Sequence, residues 1–107
     1  MKRVEAYIQP FMLTHVLHEL RDVHAHGLTV MDARGFGREK DESHPHVVDF
    51  TPKVKLEILC HDGQVDAIVE AILKGAHTGR RGDGKVFVTD VERIVSVPSR
   101  GTGDAAI

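Results

Sequence analysis

The chain has a single cysteine, no tryptophan, one tyrosine and four prolines among 107 residues. The lone Cys60 excludes an internal disulfide framework and the common four-cysteine zinc sites, and it suits a reducing interior, so the cytoplasm is the expected compartment. No apolar run reaches the length of a transmembrane helix, and the start Met1-Lys2-Arg3-Val4-Glu5-Ala6 meets an acidic residue too soon for a signal peptide. Secretion and membrane insertion are therefore both disfavoured. A charge of one sign is also missing. Fourteen Lys and Arg stand against sixteen Asp and Glu, a formal charge of -2, which offers no basic face for bulk nucleic-acid binding. The length leaves room for one small domain, residues 1–107, and for no second one.

What the chain does have is clear hydrophobic patterning. Val4, Ala6 and Ile8 alternate with Arg3, Glu5 and Tyr7, the period-two signature of a half-buried strand over residues 3–8, and Pro10 ends it. Leu13, Val16, Leu17, Leu20 and Val23 then recur at helical spacing, with Thr14, His15, His18, Glu19, Arg21 and Asp22 on the other face. Gly27 is the expected left-handed cap behind that helix. Residues 28–33 read as a second strand. Residues 35–46 read as a long polar loop with two glycines and a proline, and long loops in compact domains are often functional. Val54, Leu56 and Ile58 alternate with Lys53, Lys55 and Glu57, so a third strand turns Lys53 and Glu57 the same way. A second helix is predicted over residues 64–73, its core stripe being Val65, Ile68, Val69, Ile72 and Leu73. After a turn-rich stretch at 78–84, a last strand over 85–91 is expected to bury Val86 and Val88 and to turn Phe87 and Thr89 outward. Residues 96–107, with Pro98, Gly101 and Gly103, read as a loop or tail.

The order strand, helix, strand, strand, helix, strand predicts an α+β, ferredoxin-like sandwich: two βαβ halves forming a four-stranded antiparallel sheet with both helices on one face. The uncovered face carries Tyr7, Met31, Lys55 and Phe87. That mixture is too apolar for water over a whole sheet, so self-association is expected to cover part of it.

Candidate chemistry concentrates in Thr78-Gly79-Arg80-Arg81-Gly82-Asp83-Gly84-Lys85-Val86-Phe87-Val88. Its glycines free the backbone for close approach to a ligand, and Arg80, Arg81 and Lys85 supply cationic donors suited to phosphate oxygens. The order is not that of a G-x-x-x-x-G-K-[ST] loop, and a plain helix-to-strand turn accounts for the composition taken alone. Ala33-Arg34-Gly35-Phe36-Gly37-Arg38-Glu39 likewise pairs glycines with arginines at a strand exit, where a flexible turn is the simpler reading. Eight histidines form no complete metal set. In His44-Pro45-His46 the two imidazoles share one side of an extended segment beside Glu39, Asp41 and Glu42 and suit a transition metal, although two histidines do not finish a site. His15, His18, His24 and His26 are read as structural, and Cys60 as packing rather than reacting.

Two other uses of this scaffold fit poorly. An acylphosphatase-type enzyme needs a phosphate loop directly after the first strand, but Gln9-Pro10-Phe11-Met12-Leu13 contains neither glycine nor arginine. An RNA-binding module wants several aromatics and a basic surface, and only Tyr7 and Phe87 are available.

Residues 78–88 reproduce the B-loop signature of the PII signal-transduction family, and Gly35-Phe36-Gly37-Arg38 resembles the start of its T-loop. Residues 1–11 resemble the family's first strand, and residues 47–57 its strand after the T-loop. This resemblance implies a homotrimer with ATP, ADP or AMP held in clefts between neighbours, magnesium as a possible companion, no prosthetic group and no catalysis. It implies a T-loop over about 37–46 that engages a transporter or enzyme, and a B-loop over about 78–85. Carried over by position, Gly35, Gly37 and Arg38 would line the T-loop side of the site, Thr29 and Glu57 would meet the base, and Gly82, Asp83, Gly84 and Lys85 would meet the phosphates. Thr78, Gly79 and Arg80 belong to the same B-loop.

The sequence also departs from that pattern. The loop between Arg38 and Val47 is several residues short and has no tyrosine, since Tyr7 is the only one in the chain, so uridylylation of a T-loop tyrosine is excluded. Glu39 replaces the glutamine that helps hold magnesium and 2-oxoglutarate. Its carboxylate still suits magnesium but repels a dicarboxylate. Ser96 and Pro98 stand where two arginines usually reach the phosphates, with Arg100 a candidate substitute for one of them. Each charge-assisted bond contributes about 1.5–3 kcal/mol, so ADP and AMP are expected to bind relatively better than in an ordinary member. Relatives with unconventional T-loops respond to bicarbonate or serve metal homeostasis. Both alternatives stay open here, the metal one resting on His44 and His46.

Overall fold

The structure is a computed structural model and describes residues 1–36 and 50–107. Four strands, β1 (Lys2–Ile8), β2 (Thr29–Gly35), β3 (Thr51–Cys60) and β4 (Gly84–Asp90), form one sheet in the order β2-β3-β1-β4, and every neighbouring pair is antiparallel. Two helices, α1 (Leu13–Arg21) and α2 (Val65–Ala76), follow β1 and β3. This is the expected ferredoxin-like α+β sandwich.

Strand alternation builds the core. Register pairs Val4 with Ile58, Ala6 with Leu56 and Ile8 with Val54, so the inward rows of the two central strands meet Val16 and Leu20 of α1 and Ile68, Ala71, Ile72 and Ala76 of α2. The helices approach unusually closely where α2 has no side chain, because a Cβ on Gly75 would lie 2.6 Å from Val16 Cα. That close approach corrects the predicted stripe of α2. The buried row runs on through Ala71, Gly75 and Ala76 as the helix extends to residue 76, while Leu73 stays 48% exposed.

Two further expectations need correcting. The left-handed residue after α1 is His24 (φ 54), not Gly27. The helix stops at Arg21 and its last turn closes through Val23 N–H donating to Leu20 O at 3.2 Å, so the reversal comes before the glycine. Val88 faces the helix side in register with Val4 yet remains 40% exposed. Two helices span the two central strands and leave the edges short of cover, as Val30 on β2 shows with 41% exposure. Val86, two residues nearer the sheet end, does pack against the core.

Among the described residues no helix covers the other sheet face. Tyr7, Met31 and Phe87 are half-exposed there, the Tyr7 and Phe87 rings stack at 6.2 Å, and Lys55 Nζ lies 5.9 Å from the Tyr7 ring centroid. Glu5 is buried among them, with Arg3 Nε at 2.6 Å and Lys55 Nζ at 3.4 Å from its carboxylate oxygens. Among the described residues no helix is long and apolar enough to cross a membrane.

Candidate functional site

β1 and β2 end, and β3 and β4 begin, at one end of the sheet. Register sets Ile8 beside Gly84, Tyr7 beside Lys85, Ala33 beside Lys53 and Gly35 beside Thr51. A cleft of about 820 Å³ opens at that end. Its cations are Arg34, Lys53, Arg81 and Lys85, and no acid lines it among the described residues; Tyr7, Ala33, Phe36, Gly35, Gly82 and Gly84 complete the wall. Four positive charges around one concavity attract a polyanion, and an Arg fork suits phosphate oxygens.

The loop between α2 and β4 is shaped by glycine and stapled by an aspartate. Gly79, Gly82 and Gly84 all have positive φ, at 83, 90 and 115°. At Gly84 the backbone itself forbids a side chain, since a Cβ there would lie 1.7 Å from Tyr7 O. The Asp83 carboxylate accepts from the Thr78 hydroxyl, from Thr78 N at 2.7 Å and from Gly79 N at 3.0 Å, with His77 Nδ1 at 3.8 Å. The Thr78 hydroxyl first, then these amides and the His77 ring, hold the Asp83 carboxyl below the usual aspartate range. Gly82 O accepts from Gln9 Nε2 at 2.7 Å and from Lys53 Nζ at 3.4 Å, which ties the loop to the end of β1 and to β3. On the opposite wall Thr51 Oγ1 donates to Gly35 O at 2.9 Å, and Phe36 meets Phe50 at 5.5 Å between ring centroids. These contacts join the two chain ends that flank residues 37–49.

The predicted site residues sort into groups. Gly35, Gly82, Gly84 and Lys85 line the cleft. Thr78, Gly79 and Asp83 form the staple that shapes its loop, so the Asp83 carboxylate is directed at the loop's own donors. Arg81 lines the cleft, whereas its neighbour Arg80 does not. Thr29 and Glu57 are register partners on the open face, outside the cleft. Glu57 lies four positions along β3 from Lys53, about 13 Å along a strand.

Arg100 (φ 58) belongs to a tight turn closed by Arg100 N–H to Ser96 O and Ser96 N–H to Gly101 O, both at 2.8 Å. A Val95–Thr102 bridge leads from it to a short 3-10 helix, Gly103–Ala106, whose Asp104 lies 3.4 Å from His61 Nδ1. His61 follows the end of β3, which pairs with the start of β1, so this tail sits at the far end of the sheet from Gly84. Gly37, Arg38, Glu39, His44 and His46 lie outside the described residues. Among those described, no group of three His, Cys, Asp or Glu is placed to hold a metal ion.

Arg81, which the sequence offers as a phosphate donor, lines the cleft, and so do Lys53 and Arg34, which the sequence reading does not single out as site residues. For Lys53 the signal was present: its alternation with Val54 and Leu56 puts it on the open face at the strand's start. Arg34 offered none beyond its place at a strand exit.

Comparison with known proteins gives a consistent result. The family model described as Nitrogen regulatory protein P-II matches residues 1–100. Proteins named Nitrogen regulatory protein P-II from Azospirillum brasilense and Pasteurella multocida are each 46% identical to this chain over 112 aligned positions covering 100% of both chains. Nitrogen regulatory protein P-II 1 of Escherichia coli is 43% identical over the same extent. An alignment of 112 positions against 107 residues leaves five positions with no residue in this chain.

Proposed function

The chain belongs to the nitrogen regulatory protein P-II family, and is thus a signal-transduction regulator; from that premise we propose that it reads adenine nucleotides in its cationic cleft and signals to a protein target through a T-loop at about residues 37–46. The observation that carries this reading is the cleft itself. Arg34, Lys53, Arg81 and Lys85 converge with Gly35, Gly82 and Gly84, and no described acid lines the space between them. Phosphates find cationic partners there, and the glycines let them reach the backbone.

The working form is a homotrimer. Thr29 and Glu57, the positions read as meeting the base, lie on the same chain's open face outside its own cleft. A neighbour docked on that half-exposed face would complete the site from two copies. Phosphate and loop contacts then come from Gly35, Gly37, Arg38, Gly82, Gly84 and Lys85, with magnesium near Glu39. Thr78, Gly79 and Asp83 hold the loop in shape. A shortened T-loop is part of this reading: the chain is five residues shorter than the 112 aligned positions, and with Tyr7 its only tyrosine the T-loop takes no uridylyl group. The target is a transporter or enzyme, the compartment the cytoplasm, and the chain acts as a regulator rather than a catalyst, binding no nucleic acid and inserting into no membrane.

Calorimetric titration of the full chain with ATP, ADP and AMP tests this, repeated with 2-oxoglutarate, bicarbonate and divalent copper or zinc. Saturable binding of at least one nucleotide is expected, and the added ligand that changes its affinity identifies the co-signal through their coupling. Absence of nucleotide binding under every condition refutes the proposal, and binding of metal alone would favour the histidine loop as the sensing element.

A further inference from the structure

The fold separates two adjacent arginines. Arg81 lines the cleft and Arg80 does not, while Arg34 lines it from the end of β2. Among the described residues neither the Arg34 nor the Arg81 side chain takes part in a hydrogen bond or an ion pair. The one acid of the loop is unavailable to them, because Asp83 is held by Thr78 and Gly79. Lys53, by contrast, reaches Gly82 O. Two guanidinium groups without partners thus share a concavity with two lysines. The two guanidinium charges gathered this way repel one another until an anion enters, so a ligand with more negative charge finds two cations already in place.

We propose that Arg81, together with Arg34, is a specificity-determining residue that contacts the outer phosphates and makes the cleft prefer a nucleoside triphosphate to a monophosphate, offsetting the lack of arginine at Ser96 and Pro98. This rests on the nucleotide reading of the cleft. It reverses the ranking expected from the tail alone, in which ADP and AMP gain.

The test titrates the wild-type chain and the variants R81A, R34A and R80A with ATP, AMP and inorganic tripolyphosphate at one ionic strength. All three positions are exposed, so truncation leaves the core intact, and R80A removes the same charge one residue outside the lining. R81A and R34A are each expected to weaken ATP and tripolyphosphate tenfold or more and AMP less than threefold, with R80A below threefold throughout. Equal losses for ATP and AMP in R81A, or an R80A effect on ATP as large as that of R81A, would overturn the assignment, because either would make the effect one of bulk charge. If the wild-type chain binds tripolyphosphate but no nucleotide, the nucleotide reading falls and the same variants decide the arginines on tripolyphosphate. If it binds neither, both fall.

Discussion

Replacing Gly84 by alanine measures how rigidly the sheet fixes the wall of the cleft. The new Cβ would lie 1.7 Å from Tyr7 O, 2.8 Å from Tyr7 C and 3.3 Å from Ile8 Cα, and all three are backbone atoms. Real Cβ contacts essentially never fall below 3.0 Å, so the start of β4 must move by more than about 1 Å away from β1. That movement breaks the Ile8–Gly84 end of the ladder, at about 1 kcal/mol for each backbone hydrogen bond lost. The left-handed φ of 115° adds roughly 1–2 kcal/mol for any residue with a side chain. Together these give about 2–4 kcal/mol. Gly79 provides the internal control. Its φ is also positive, at 83°, but a Cβ there meets nothing nearer than His77 Nε2 at 4.0 Å, so G79A bears the conformational cost alone, about 1–2 kcal/mol. Urea unfolding at fixed protein concentration, followed by circular dichroism, should place G84A at least about 1 kcal/mol below G79A. For a domain near this size each kcal/mol lowers Tm by roughly 4–8 °C. Equal midpoints for the two variants would refute the reasoning, since they would show that β4 moves aside freely.

Gly75 offers a contest of signs: helix propensity favours alanine by about 1 kcal/mol, yet its Cβ would meet Val16 Cα at 2.6 Å and Val16 N at 2.8 Å, so G75A is expected to lower the urea midpoint by about 1–3 kcal/mol in stability, and a gain would show that α1 and α2 slide apart. Asp83 predicts an acid dependence. Its carboxyl is held low in the folded loop by Thr78 and Gly79, so the stabilisation is full above the ordinary aspartate range near about 3.9 and is lost as pH falls through the lower folded value. The stability advantage of the wild-type chain over D83N should therefore be present at neutral pH and vanish in acid, and a difference independent of pH would mean that the ionised carboxylate is not what staples the loop. On the open face, F87K places a charge on a half-exposed apolar site and should shift sedimentation toward smaller species, whereas unchanged sedimentation would remove Phe87 from any subunit contact.

The central architecture was legible because alternation and helical spacing are local signals that tertiary packing reinforced. β1 and β3 place every predicted apolar residue of theirs inward, since both lie in the middle of the sheet under the helices. Failures came where burial depends on a distant element. Val88 carries the same alternation as Val86, but only the sheet order reveals that its strand is an edge. Leu73 fits a helical stripe as well as Ile72 does. What displaces it is the contact of Gly75 with Val16, which joins residues far apart in sequence. The cap moved to His24 because the helix ended earlier than its apolar stripe suggested. The site shows the same division. The glycine-rich loop was visible from composition, whereas the choice of Arg81 over Arg80 as a cleft residue depends on how Gly79 and Gly82 turn the chain.

The staple and the cleft depend on each other through charge. A free aspartate carboxylate lining the cleft would weaken its attraction for anions. Here Thr78 and Gly79 satisfy the Asp83 oxygens, and among the described residues the charged groups that line the cleft are all cations. The same bonds hold Gly82 where its carbonyl meets Gln9 and Lys53, so loop shape, strand pairing and field are set by one group of contacts. Phe36, whose ring meets Phe50, lines the cleft beside those cations. On the proposed reading, an anion in the cleft sits against Gly35 and Phe36, the described residues that lead into residue 37, so its charge acts next to the segment proposed to carry the signal.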